Sequence, residues 1–145
     1  MSTKEMQDKL IANMERWQQV EANAIKTTAD IAAKVKNPII KHIMEVIKRD
    51  SEMHARTQKM IVETLQGTYT MTPDELAAVW GDIEKHIETE RQTIELAKEA
   101  KGYLKGRKMT VQEYLVEYLL TDEEKHNALL DQLAIIKKGM YPYGS

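Results

Sequence analysis

Along residues 1–35, Leu10, Met14, Trp17, Glu21, Ala24, Thr28, Ile31 and Val35 recur in alternating steps of three and four. That spacing draws a single stripe down an α-helix. The stripe is apolar or small except at Glu21. Ser2 followed by Glu5 has the spacing of a capping box, so a first helix is expected over residues 2–35.

The Asn37-Pro38 pair then breaks the pattern, with Asn37 as N-cap and Pro38 at the first position of a second helix. The second stripe is Ile40, Ile43, Ile47, Asp50, His54, Thr57, Ile61 and Leu65, and Gly67 is the expected stop. Thr72-Pro73-Asp74-Glu75 is another capping-box start. It opens a third stripe of Leu76, Val79, Ile83, Ile87, Glu90, Ile94 and Ala97. Gly81 lies inside it, so residues 73–80 form either the start of that helix or a separate short one. Residues 101–109, with Gly102 and Gly106, read as a loop. Its Lys and Arg side chains fall near a helix C-terminus, where cations are favourable; the competing reading is a phosphate-binding patch. The fourth helix starts at Thr110, with Glu113 three residues on. It carries Val111, Leu115, Leu119, Asp122, His126, Leu129, Leu133 and Ile136, and is expected to end at Gly139 before a short exposed tail. The pattern predicts an all-α chain: one four-helix-bundle domain over residues 1–145.

Composition narrows the chemistry. Nine Met and no Phe among 145 residues leave Met, Leu, Ile and Val to fill the interior. Cys is absent, which excludes disulfides, thiolate metal sites and a cysteine nucleophile. The N-terminal residues are polar, without a signal-peptide apolar stretch, and no apolar run approaches the roughly 20 residues of a membrane span. A cytoplasmic protein without membrane contact is therefore expected. A net charge of −2 gives no reason to expect nucleic acid as partner.

The four stripes share one feature: each is apolar at both ends and broken near its centre by an acid or a histidine. Buried carboxylates are costly unless paired, hydrogen-bonded or bound to metal. In an antiparallel hairpin, residues equidistant from the turn face each other. Glu21 and His54 are equidistant from the Asn37-Pro38 break, and Glu90 and His126 from the centre of the 101–109 loop. There is also an internal repeat. Ile43-Met44-Glu45 through Asp50-Ser51-Glu52-Met53-His54 lines up with Leu115-Val116-Glu117 through Asp122-Glu123-Glu124-Lys125-His126. Two hairpins with matching centres imply a pseudo-two-fold axis, an arrangement suited to a pair of iron or manganese ions.

The run Asp122-Glu123-Glu124-Lys125-His126 resembles the helix-four motif of the ferritin-like superfamily, in the style of bacterioferritin and rubrerythrin. The resemblance covers most of the chain as a helix pattern and is specific in helix four. It implies that Glu123 and His126 ligate a dinuclear iron or manganese centre, with Glu90 and Glu21 as the single carboxylates of helices three and one and His54 as the helix-two histidine. It also implies that Asp50 and Asp122, four residues before each His, hydrogen-bond the histidine of the partner helix and fix its tautomer. Ser51 stands where the family has a bridging Glu, so the site is asymmetric, holds one metal, or binds weakly. A ferritin-like bundle needs a long crossover between helices two and three. If helix three starts at Pro73 the connection is short, His86 falls level with His54, and His86 becomes a further candidate ligand.

The function implied is that of a ferritin-like protein binding non-haem iron or manganese and oxidising Fe(II) or reducing dioxygen or peroxide. The expected partners are metal ions, a small oxidant and a redox partner protein, with the chain assembled as a homo-oligomer, a dimer. The alternative is a metal-free helical bundle serving as a protein-interaction or scaffold module.

Overall fold

A computed structural model describes residues 1–140. Four helices run in chain order: α1 Thr3–Lys34, α2 Pro38–Leu65, α3 Pro73–Leu104 and α4 Thr110–Met140. No strand occurs among the described residues, and the all-α expectation is met. No helix among them is long and apolar enough to cross a membrane. The expected tail, apart from Met140, lies outside the described residues.

The helix starts follow from capping chemistry. Ser2 Oγ accepts from the Glu5 amide at 3.1 Å, and Asn37 Oδ1 accepts from the amides of Ile39 and Ile40 at 2.9 and 3.2 Å. At α3 the Thr72 hydroxyl accepts from the Glu75 amide at 3.2 Å and donates to the Glu75 carboxylate at 2.8 Å. Each bond satisfies one of the backbone donors that a helix start leaves free. The α2 end is a Schellman turn: Gly67 N–H donates to Thr64 C=O and Thr68 N–H to Glu63 C=O. The turn demands a left-handed residue, and Gly67 supplies it at φ +80°.

Two boundaries differ from the sequence reading, and one alternative is decided. Gly81 does not interrupt α3. One glycine costs a helix about 1 kcal/mol, less than the flanking turns recover by continuing. For the same reason Gly102 is helical, so the loop before α4 contracts to residues 105–109, and α4 runs through Gly139. The α2–α3 connection is then residues 66–72, the short alternative. Such a segment reaches at most about 25 Å, while a helix of α3's length spans roughly 45 Å, so it cannot supply a helix-long crossover.

The chain divides into two compact units, Met1–Thr70 and Met71–Ser145. The first is the antiparallel α1–α2 hairpin, the second the α3–α4 hairpin. A pair of helices buries a single seam. In unit 1 that seam holds Met14, Glu21, Thr28, Ser51 and Gln58; in unit 2 it holds Leu76, Glu90, Ala97 and Leu120. Five of these nine buried positions are polar. Glu21 and Glu90 interrupt their stripes as expected, whereas Ser51, Gln58 and Leu120 lie one residue off the predicted stripes and leave Ile47 and Leu119 exposed.

The two glycines predict opposite outcomes. Nothing lies within 4 Å of a Cβ built on either, so only backbone terms differ. Gly67→Ala should lower stability by about 1 kcal/mol through the left-handed strain, while Gly81→Ala should raise it by about 0.5–1 kcal/mol. Urea unfolding followed by circular dichroism measures both.

Candidate metal centre

Helical spacing places the unit 2 cluster. On α3, His86, Glu90 and Thr93 lie four and three residues apart and share one face. On α4, Asp122 and Glu123 lie four and three residues before His126, within reach of its ring. Glu90 is buried, at 6% exposure. Its Oε1 accepts a hydrogen bond from His86 Nε2 at 2.9 Å and lies 3.6 Å from His126 Nδ1. His126 Nδ1 is also 3.6 Å from Glu123 Oε2, and Thr93 Oγ1 lies 2.9 Å from that same oxygen.

One ligand atom from each of Glu90, Glu123 and His126 falls within 4.8 Å of the others. His86 is outside this group and acts on Glu90 as a donor. Asp122 Oδ2 lies 3.3 Å from His126 Nε2 on its own helix, and its other oxygen is 2.9 Å from Lys125 Nζ. A carboxylate beside Nε2 favours the tautomer with the proton there, which turns the Nδ1 lone pair toward Glu90 and Glu123.

The two carboxyl groups disturb each other. The hydrogen bond shared with Glu90 holds Glu123 above the usual carboxylate range, and burial adds to the rise. The same bond holds Glu90 below that range, helped by His86 and His126 against the upward push of burial. One proton between two carboxylates is the expected state of such a pair. Glu90 Oε2 is buried and no standing donor reaches it. An oxygen in that position is satisfied by a shared proton or by a cation.

Unit 1 has a related but poorer set. Glu21 is buried, at 7% exposure; its Oε1 accepts from Trp17 Nε1 at 3.1 Å and lies 3.5 Å from His54 Nδ1. The levels read from the two hairpin turns are therefore met: Glu21 faces His54, and Glu90 faces His126. Ser51 is buried in this seam and brings no carboxylate. Asp50 is half-buried. His42 is exposed, as its position off the stripe anticipates.

The sequence reading missed two participants. Trp17, assigned to packing, is a donor to Glu21. Thr93, off the apolar stripe, holds Glu123. The signal for both lay in spacing, four residues before and three after the central Glu of each hairpin. The basic segment at the α3–α4 turn lies apart from the cluster. Lys101 pairs with Glu117 at 2.9 Å beside a groove walled by Leu104, Tyr114 and Val116, so this cation is engaged locally at a helix end.

The sequence matches no family model, no curated protein and no solved structure.

Glu123→Gln should replace the shared proton with a permanent amide donor. The metal-free variant is expected to be more stable than wild type at neutral pH, by on the order of 1 kcal/mol. The sign follows from Glu123's raised folded value: its stabilisation is complete at low pH and lost as pH rises through that value. The advantage of the variant should thus grow as pH rises above the ordinary 4.5 of a Glu, and thermal melts across pH 4 to 8 read it directly.

Proposed function

We propose that unit 2 binds a divalent transition-metal ion, iron or manganese, through Glu90, Glu123 and His126, and that the protein works in ferritin-like redox chemistry on Fe(II), dioxygen or peroxide. The observation that carries this reading is the convergence of ligand atoms from Glu90, Glu123 and His126 within 4.8 Å of one another, on a Glu90 carboxylate whose other oxygen, Oε2, is buried and lacks a donor. Carboxylate and imidazole donors without thiolates suit iron and manganese. A bound ion would supply the electrons for reducing an oxidant and polarise it at positions the protein leaves open.

The chain's own groups have distinct tasks in this reading. Glu90 and Glu123 balance the ion's charge, and binding expels the proton they share. Asp122 holds the His126 ring in register. His86 has a side chain 57% exposed and donates from Nε2 to Glu90, which makes it the group able to pass a proton between solvent and the carboxylate. With no cysteine in the sequence, electrons for repeated turnover would come from a separate redox protein.

Two features depart from the full ferritin-like pattern: Ser51 in place of a bridging carboxylate, and the short α2–α3 connection. The dinuclear centre implied by the resemblance calls for a second group of three donors, whereas Glu21 and His54 make two. One tight ion per chain is the expected stoichiometry. The competing reading is a metal-free helical scaffold. It is favoured by Ser51 and by large apolar side chains left exposed, among them Ile47 and Met53 in unit 1 and Leu119 and Leu129 in unit 2.

Metal analysis of protein purified without chelator, followed by anaerobic Fe(II) titration, separates the two. Stoichiometric metal, with an absorbance change on admitting oxygen, supports the redox reading. His126→Ala should abolish binding, and metal retained by that variant would refute the assignment. No metal, and no shift in melting temperature on titration, would mean that the polar seam is structural.

A further inference from the structure

The two hairpins are a built-in comparison. In unit 1 Trp17 precedes Glu21 by four residues and Ala24 follows it by three. In unit 2 His86 and Thr93 stand at those spacings around Glu90. On the second helix Ser51 precedes His54 by three, as Glu123 precedes His126. The contacts correspond as well. Trp17 Nε1 donates to Glu21 where His86 Nε2 donates to Glu90. His54 Nδ1 lies 3.5 Å from Glu21, and His126 Nδ1 lies 3.6 Å from Glu90. Against this shared frame, the carboxylate of Glu123 and the hydroxyl of Thr93 are missing together from unit 1, replaced by Ser51 and Ala24.

Thr93 is half-buried, and its Oγ1 makes two contacts: 2.7 Å to the Glu90 carbonyl on its own helix and 2.9 Å to Glu123 Oε2 across the hairpin. The first is the local bond that a helical Thr commonly makes, and it selects one of the two side-chain rotamers open to Thr in a helix. The hydroxyl is thereby set in place by α3 before Glu123 reaches it. The second contact then fixes the rotation of the Glu123 carboxylate about its last bond. A hydroxyl has a single proton to donate; with Glu123 ionised, both the Glu90 carbonyl and Glu123 Oε2 can only accept, so that proton is shared between them in a three-centre bond.

We propose that Thr93 is the positioning residue for Glu123, holding its carboxylate in the orientation that lets it share an ion with Glu90 and His126. Its loss alongside Glu123 is what separates unit 1 from the metal-competent hairpin. The assignment rests on the metal reading given above. A group that orients a ligand in this way typically contributes 10–100-fold in metal affinity, and a conservative hydroxyl should preserve it.

The test uses the full chain and Mn(II) alone, with free Mn(II) followed by electron paramagnetic resonance and the metal-free melting temperature recorded for each variant. Thr93→Val keeps the side-chain shape without the hydroxyl. It should weaken Mn(II) binding about tenfold or more while the metal-free protein melts near wild type. Thr93→Ser should restore affinity to within a few-fold. Equal affinity in wild type and Thr93→Val would overturn the assignment, as would a Thr93→Ser variant that melts normally yet binds as poorly as Thr93→Val. A wild-type protein that binds no Mn(II) and no Fe(II) sinks the metal reading itself, and the assignment falls with it.

Discussion

A carboxylate kept out of water is the constraint around which each hairpin is built. Glu90 and Glu21 lie within 7% of full burial, and a charge so placed is tolerated only if its neighbours replace the lost hydration. Both receive an N–H from the residue four positions earlier and face a histidine from the opposite helix. The i,i+4 spacing makes the first of these a property of the helix alone. The second requires the hairpin, because His54 and His126 reach the same level only when their helices run antiparallel from the turns at Asn37 and at residues 105–109.

Unit 2 goes further than the constraint requires. Bringing Glu123 against Glu90 adds a second acid where one is already costly, and the two respond by dividing a proton unequally. A purely structural seam gains nothing from such a pair; an apolar residue or an amide in place of Glu123 would remove the strain. Unit 1 has no second acid there, only the hydroxyl of Ser51. The asymmetry between the hairpins is an observation on which the metal proposal rests, since carboxyl pairs of raised and lowered acidity are common at sites that exchange protons for cations.

The supporting groups form a chain of decreasing burial. Glu90 lies in the seam, Glu123 and Asp122 at its edge, and His126 and His86 reach toward solvent, with side chains 40% and 57% exposed. Such a gradient keeps the anionic centre dry while leaving its imidazoles reachable by solvent. Thr93 and Lys125 complete it by holding Glu123 and Asp122, so each acidic group that faces His126 is itself restrained.

Much of this was legible along the chain because helices report their own geometry. Capping residues Ser2, Asn37 and Thr72 mark starts through local bonds, and Gly67 marks a stop through its φ. Glu21 could be matched with His54, and Glu90 with His126, by counting from turns, since rise per residue is constant in both arms of a hairpin. Boundaries were missed at Gly102 and Gly139, where a weak local preference was outweighed by the cooperativity of a long helix. The faces of α2 and α4 were read one residue off, with Ile47 and Leu119 exposed and Ser51 and Leu120 buried. What only the tertiary structure decided was the identity of the contacts across the seam. Spacing placed Glu123 and Thr93 on their own helices, but a hydroxyl 2.9 Å from a carboxylate thirty residues away depends on how far apart the two helices pack and how each is rotated. Those quantities are set by the side chains of both helices together, so no single stripe records them.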